Sequence, residues 1–549
     1  MGFISLGCPK NLVDSEVMMG LLDRAGARLT ARPEDAEILV VNTCSFIDTA
    51  KQESVDTILE MARHKRSGSA KKLIVAGCLV ERYRDDIRKN IPEVDAVVGT
   101  GELESILEAT GLSRPHAAAP GLFNILSGNG HADARPGQES RAGTHKIAAA
   151  TGSAVSAASV NGMGSVKGTG SVKGTGFSPY ISTMESGGAS APEGNIAYRP
   201  EGDLRERQGR FSRDEWQGAR HMLPTYLYDE STPRYITTPR SSAYIKIAEG
   251  CDHPCTFCVI PNLRGKFRSR RFESVVAEAR QLVARGTEEI TLIGQDTTCY
   301  GEDLGIKDGL ALLLDSLAGI EGLRWLRFLY AYPNRITGRL LDTIAGHDNI
   351  CKYLDVPLQH ASPQVLKTMK RGAGADIFLK TLGKVRAAVP GIALRTSFIV
   401  GFPGESLRDF EILEEFISEA KFDWLGVFNY SDEEGSGAHS LEAKVPKRTI
   451  EARKRRLMRL QQGISKRAKQ QWVGRELVVL AEGESEETPL LWEGRTEFHA
   501  PEIDGKVYIN DFGALGENVD TLEAGRFYNA EITEAHEYDV VARVTSGPL

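Results

Sequence analysis

Residues 248–260 read AEGCDHPCTFCVI, and three of the chain's eight cysteines stand there, at 251, 255 and 258. The gaps, three residues and then two, fall in a tight loop after the strand-like run AYIKIAE, so the sulfurs converge on one face. A closed zinc site wants four ligands, often two CxxC pairs. Here one trio is offered and no fourth cysteine is near. Three thiolates around a cubane iron–sulfur cluster leave one iron free of protein, open to a small molecule. The alternatives are a zinc loop with a distant fourth ligand and three unrelated buried thiols.

A second set is spread out. Cys8 follows GFISLG, Cys44 follows ILVVNT and Cys78 follows LIVAG, each just past a strand-like run. Open α/β sheets bind ligands at these strand ends, and a parallel sheet would gather the three thiols. That suits a second cluster, again with an open iron. The alternative is three small apolar residues buried at strand ends. Cys299 and Cys351 have no partner in sequence and read as core or surface thiols.

The elements that must position these residues are legible as four stretches. Residues 1–111 alternate strand-like and helical runs, a small α/β domain with a parallel sheet. Residues 112–240 change character: TGSAVSAASVNGMGSVKGTGSVKGTG repeats GSVKGT, and RPEGDLRERQGRFSRDEWQGAR is densely charged. Such text buries too little apolar surface to offset its ordering entropy, so the stretch reads as a flexible low-complexity insertion or linker. From 241 to 470 six strand-like runs alternate with helical patterns, ending in the basic run KRTIEARKRRLMRLQQGISKRAKQQ. That suggests a partial or full TIM-like β/α barrel with its chemistry at the strand C-termini. The trailing helix reads as a solvated face packed between that barrel and the C-terminal segment. Residues 471–540 read as short strands of a small all-β barrel.

Composition sets limits. The 549 residues are 41% hydrophobic and 26% charged, with a net charge of −7, which does not announce a nucleic-acid binder. There is no apolar run of membrane-spanning length and no signal-like start, so a cytoplasmic protein is expected. In that compartment clustered cysteines point to metal or catalysis rather than disulfides.

Cys251-x3-Cys255-x2-Cys258, with Phe257 before the last cysteine, resembles the signature of the radical S-adenosylmethionine (SAM) enzymes. The resemblance implies that the open iron chelates SAM and that one electron from the cluster cleaves it to a radical. SFIVGFPGES (397–406) is similar to a stretch that runs along SAM in that family. Phe257, Gly401, Gly404 and Glu405 are therefore expected beside the cofactor. With three further strand-end cysteines in front, the chain resembles the radical SAM methylthiotransferases: an N-terminal cysteine domain, a radical SAM barrel and a C-terminal TRAM barrel. The resemblance implies two 4Fe–4S clusters, held by Cys8, Cys44 and Cys78 and by Cys251, Cys255 and Cys258. It also implies two SAM, an electron donor, a sulfur donor and a C–SCH3 product.

Such enzymes act on tRNA adenosines or on one aspartate of small-subunit ribosomal protein S-twelve. Residues 471–549 hold five Lys and Arg against seventeen Asp and Glu, a formal −12, which leaves the rest of the chain at +5. A domain docking tRNA should offer cations to phosphates; this one should attract a basic protein. FISLGCPKNLVDSE and APEIDGKVYI are also similar to the branch acting on the ribosomal protein. The expected substrate is thus that aspartate, in the free protein or the ribosome, and tRNA methylthiolation is the alternative. An iron–sulfur carrier without catalysis has little need of a barrel.

Smaller readings complete the set. Pro9, Lys10 and Asn11 read as a Pro-containing turn with Asn11 capping the next helix. His360 reads as a hydrogen-bonded barrel residue. Gln295 and Arg395, near strand ends, either contact SAM or hold structure.

Overall fold

The computed structural model describes residues 1–113, 123–125, 224–488, 490–516 and 521–549. The flexible reading of the insertion therefore falls largely outside the described residues. Strands β1 (Gly2–Ser5), β2 (Ile38–Thr43), β3 (Lys72–Gly77) and β4 (Ala96–Val98) form one parallel sheet in that order. Helices α1 (Pro9–Arg24), α2 (Asp48–Ser67) and α3 (Cys78–Asn90) make the crossovers. Burial on both faces explains the unbroken apolar runs. Leu39, Val41, Leu73 and Val75 pack with Ile58 and Met61 of α2, while Val40 and Ile74 pack with Val13 and Val17 of α1.

Helix α1 buries twelve of its sixteen residues, among them Asn11, Asp14, Ser15 and Glu16, because a second domain covers its other side. The short pair β5 (Phe123–Ile125) and β6 (Arg234–Ile236) leads into that domain. Its strands β7 (Ser242–Lys246), β10 (Glu289–Ile293), β11 (Trp325–Phe328), β12 (Tyr353–Asp355), β13 (Ala393–Val400) and β14 (Trp424–Asn429) are parallel and follow sequence order. A parallel bridge, Leu326 to Ile350, joins the two three-stranded ladders. No ladder joins β7 to β14 among the described residues, so the barrel is partial. Between β7 and β10 the antiparallel pair β8 (Ala248–Glu249) and β9 (Arg268–Ser269) closes the base of the cysteine loop.

Within residues 224–240, counted with the insertion on composition, Tyr228, Arg234, Ile236 and Thr238 are buried. Arg234 is 1% exposed; it donates to Glu16 at 2.6 Å, to Glu278 at 2.6 Å and to the Tyr244 carbonyl at 2.6 Å. Composition missed this because a buried arginine is tolerated only where carboxylates from remote elements meet it.

The last five strands, β15 (Glu476–Glu484), β16 (Trp492–Arg495), β17 (Val507–Asp511), β18 (Phe527–Ala535) and β19 (Val540–Ser546), form a closed barrel. Its residues 495–504 plug the N-terminal end of the larger barrel. Arg495 bonds Glu289 at 2.8 Å, Tyr353 bonds Asp504 at 2.6 Å and the Trp424 indole bonds the Phe498 carbonyl at 2.8 Å. The helix Lys447–Gln470 lays Ile450, Leu457 and Ile464 on the large barrel's outer core and turns its remaining basic residues mostly to solvent.

Candidate active site

Cys8 caps the N-terminus of α1, Cys44 follows β2 and Cys78 opens α3, so the three stand at the ends of neighbouring parallel strands. Gly7 (φ +92°) lets the chain pass so close that a Cβ there would lie 3.1 Å from the Cys44 sulfur. Ser54 fixes the Cys44 backbone, accepting from its N–H at 3.0 Å and donating to its carbonyl at 2.9 Å. Asn11 does not cap the helix, since Pro9 is already its first residue. Its amide instead ties Leu6 O (2.7 Å) to Thr43 O (3.1 Å), holding two of the strand ends together.

Cys251, Cys255 and Cys258 occupy the loop above β8 and β9. Its cross-braces are Thr256 N–H to Met369 O (3.1 Å), Ala438 N–H to Thr256 O (2.7 Å) and Arg371, whose Nη1 lies 3.7 Å from the Cys255 sulfur. His253 stacks on Tyr332 at 3.9 Å and its Nε2 meets Asp296 at 2.5 Å. Asp296 also accepts from the Cys299 thiol at 3.0 Å. These three side chains come within 4.8 Å of one another. Their mutual hydrogen bonds, with those of Thr298 to the same carboxylate, account for the cluster as a brace on the loop.

Burial pushes the Cys251 thiol up to about 11 and Cys258 to about 12. It takes Cys78 to about 11, against the pull of the Arg264 guanidinium, and raises Cys44, with Cys78 and Cys8 adding to the effect. Thiols raised this far keep their protons at neutral pH until a soft cation displaces them. Each triad offers free thiols alone, three soft sulfur donors that suit an iron–sulfur cluster and fall one short of the four ligands of a closed zinc site.

The two triads are linked by residues that sequence reasoning passed over. Arg264, six positions after Cys258 and 2% exposed, donates to Asn11 at 2.9 Å, to Asp14 at 2.6 Å and to Glu249 at 3.2 Å, beside Cys78. Lys246 joins Asp14 (2.5 Å) and Glu249 (2.6 Å) in the same network. Cys78 itself packs on Val259 and Leu263, just after the second triad. The only signal available in sequence was the nearness of Arg264 to a cysteine motif.

The expected SAM-loop residues divide. Phe257 packs into an apolar cluster with Val365, Met369 and Phe402, which joins the cysteine loop to the GFPGE turn. Glu405 is 4% exposed and turned inward; it accepts from the backbone N–H groups of Gly401 (2.5 Å) and Phe402 (3.2 Å) and from Arg453 (2.7 Å). It holds the turn in shape. Gly401 (φ +81°) is required by the fold, for its Cβ would lie 2.3 Å from Ile450, whereas Gly404 (φ +83°) faces open space. Gly401→Ala should therefore cost about 2–4 kcal/mol, backbone strain plus overpacking. Gly404→Ala should cost only the strain, about 1–2 kcal/mol. Urea midpoints of the two variants check this, and equal losses would remove Ile450 as the reason.

The remaining residues have partners within the chain. Gln295 donates to Glu249 at 2.6 Å, and Arg395 pairs with Asp355 at 2.9 Å and Asp504 at 3.3 Å. His360 is fully buried, its Nδ1 accepts from Ser362 N–H at 3.0 Å, and burial lowers its pKa to about 3. Cys351 lies in the core. No helix among the described residues is long and apolar enough to cross a membrane.

Three family profiles match: residues 1–99 an uncharacterized family, UPF0004; residues 245–417 the radical SAM superfamily; residues 473–545 the TRAM domain. The chain is 59% identical over 544 residues to the ribosomal protein uS12 methylthiotransferase RimO of Koribacter versatilis, covering 99% of this chain and 96% of that one. It is 50% identical over 543 residues to that of Solibacter usitatus, covering 98% and 94%. Among solved structures it is similar to the radical SAM methyltransferase TsrM of Kitasatospora setae, with 16% identity and a TM-score of 0.43 over 77% of this chain and 70% of that one.

Proposed function

Since the chain belongs to the RimO family of radical SAM methylthiotransferases, we propose that it places a methylthio group on the β-carbon of an aspartate in ribosomal protein uS12. The observation that carries this reading is two separate cysteine triads, at strand ends of two domains, joined by one buried polar network. Cys251, Cys255 and Cys258 would hold the 4Fe–4S cluster that binds SAM, and Cys8, Cys44 and Cys78 a second. Held by those thiolates, the first would supply one-electron reducing chemistry toward SAM and the second a source of sulfur for the transferred group.

The chain's own residues do the rest. Arg371 offers positive charge beside Cys255, where it would complement the cluster thiolates or the SAM carboxylate. His253 and Tyr332, stacked and anchored by Asp296, steady the loop. Arg264 and Lys246, paired with Asp14 and Glu249, keep the triads from shifting relative to each other. Positioning to a fraction of an ångström is what radical transfer to a chosen carbon demands.

The acidic last barrel favours a basic protein substrate over tRNA. An electron donor and a sulfur donor complete the partners. The test is to incubate the enzyme, reconstituted with iron and sulfide, with small ribosomal subunits and separately with bulk tRNA. A methylthio mass gain on a uS12 aspartate is expected. A gain confined to a tRNA nucleoside would reverse the substrate assignment, and two clusters per chain should appear by iron and sulfide quantitation.

A further inference from the structure

Lys10 is the second residue of α1 and 8% exposed. Its ammonium crosses the domain boundary. It lies 3.4 Å from the centroid of the Tyr330 ring and 3.4 Å from the Gly294 carbonyl. Gly294 directly follows β10 and Tyr330 ends two residues beyond β11, so both stand at the barrel mouth. Two positions further along each loop come Asp296 and Tyr332, the residues that grip His253 of the cysteine loop. In the other direction Lys10 is two residues from Cys8. The ammonium thus lies where the helix that follows Cys8 meets the barrel mouth.

No carboxylate pairs with it among the described residues, in contrast to its buried neighbours. Lys246 and Arg264 share Asp14 and Glu249, and Arg234 has Glu16 and Glu278. The groups that face it are Cys8 and Tyr330, so a buried cation with no carboxylate of its own is left for one that arrives from outside. Arg371, also without a carboxylate partner among the ion pairs of the described residues, is taken up by the Cys255 side. On the reading of the function given above, the incoming anion is a side-chain carboxylate whose adjacent carbon must lie between the two clusters.

We propose that the Lys10 ammonium receives the carboxylate of the substrate aspartate and selects it over a neutral side chain. A carboxylate held there has its β-carbon one bond away. Tyr330 and the Gly294 carbonyl each engage one of the ammonium's three N–H groups and confine it to the mouth, leaving one for the carboxylate.

The experiment compares holoenzymes carrying Lys10, Lys10→Arg or Lys10→Met on recombinant uS12 and on uS12 with the modified aspartate changed to asparagine. Wild type should favour aspartate strongly. Lys10→Met should lose about a hundredfold in kcat/KM on aspartate, the scale of a buried charged contact. Its preference for aspartate over asparagine should collapse toward unity, and Lys10→Arg should retain part of it. Iron content and SAM cleavage without product should stay near wild type in all three. A Lys10→Met enzyme that keeps the wild-type preference, even at lower rates or with a shifted cluster potential, overturns the assignment, since the lysine then serves the cluster. A wild type that leaves both proteins unmodified overturns the functional reading and this assignment with it.

Discussion

Replacing Cys255 with alanine is expected to abolish 5′-deoxyadenosine formation from SAM, by more than about a thousandfold, as when a group indispensable to the chemistry is removed. Among the described residues the loop offers three thiols, and Cys299, a further thiol, is already engaged with Asp296. Replacing Cys44 should give the opposite pattern. The loop triad is braced by Met369, Ala438 and Arg371, none of which belongs to the N-terminal domain, so SAM cleavage should continue while methylthiolated product falls to background. Anaerobic assays scoring 5′-deoxyadenosine and product separately check both variants. Normal SAM cleavage in Cys255→Ala, or normal product in Cys44→Ala, would contradict the division of labour between the triads.

Arg234→Met should destabilise the protein by about 3–5 kcal/mol, the cost of breaking a buried ion pair from one side. The guanidinium is the sole counter-cation of Glu16 among the ion pairs of the described residues and one of two for Glu278, so its loss strands charge in the core. Burial alone would raise Glu278, yet Arg270 and Arg234 hold its pKa below the usual carboxylate range. A depressed folded pKa means that this stability is present above the unfolded carboxylate pKa and is lost as pH falls through and below it. The wild-type stability should therefore decline with acid in that window, and the Arg234→Met variant should decline less. Adding Glu16→Gln to Arg234→Met should restore part of the loss, because one stranded charge is removed. Urea unfolding of the three proteins at pH 7 and pH 4 measures all of this; an unchanged midpoint in Arg234→Met would mean that the network contributes nothing.

Much of the molecule was written in local sequence. The three-then-two spacing of Cys251, Cys255 and Cys258 places them on one loop whatever surrounds it, and buried parallel strands announce themselves as unbroken apolar runs such as ILVV and LIVA. A cysteine after each such run is a cysteine at a strand end, so the N-terminal triad followed from strand period alone. The charge of the last barrel is a sum over residues and needs no coordinates.

Other features exist only once the chain is folded. Lys10 meets Gly294 across 284 positions and Arg264 meets Asn11 across 253, and no periodicity spans such gaps. Gly401 reads in sequence as a ligand-binding glycine, and only the fold adds that Ile450 on a later helix leaves no room for a Cβ there and that Glu405 accepts from the backbone of its own turn. Arg234 looked like the end of a linker until Glu16 and Glu278 came to it from two domains. Pattern along a chain reports the periodicity of helices and strands, whereas the pairing of buried charges is decided by which remote elements pack together, and that is a property of the tertiary structure alone.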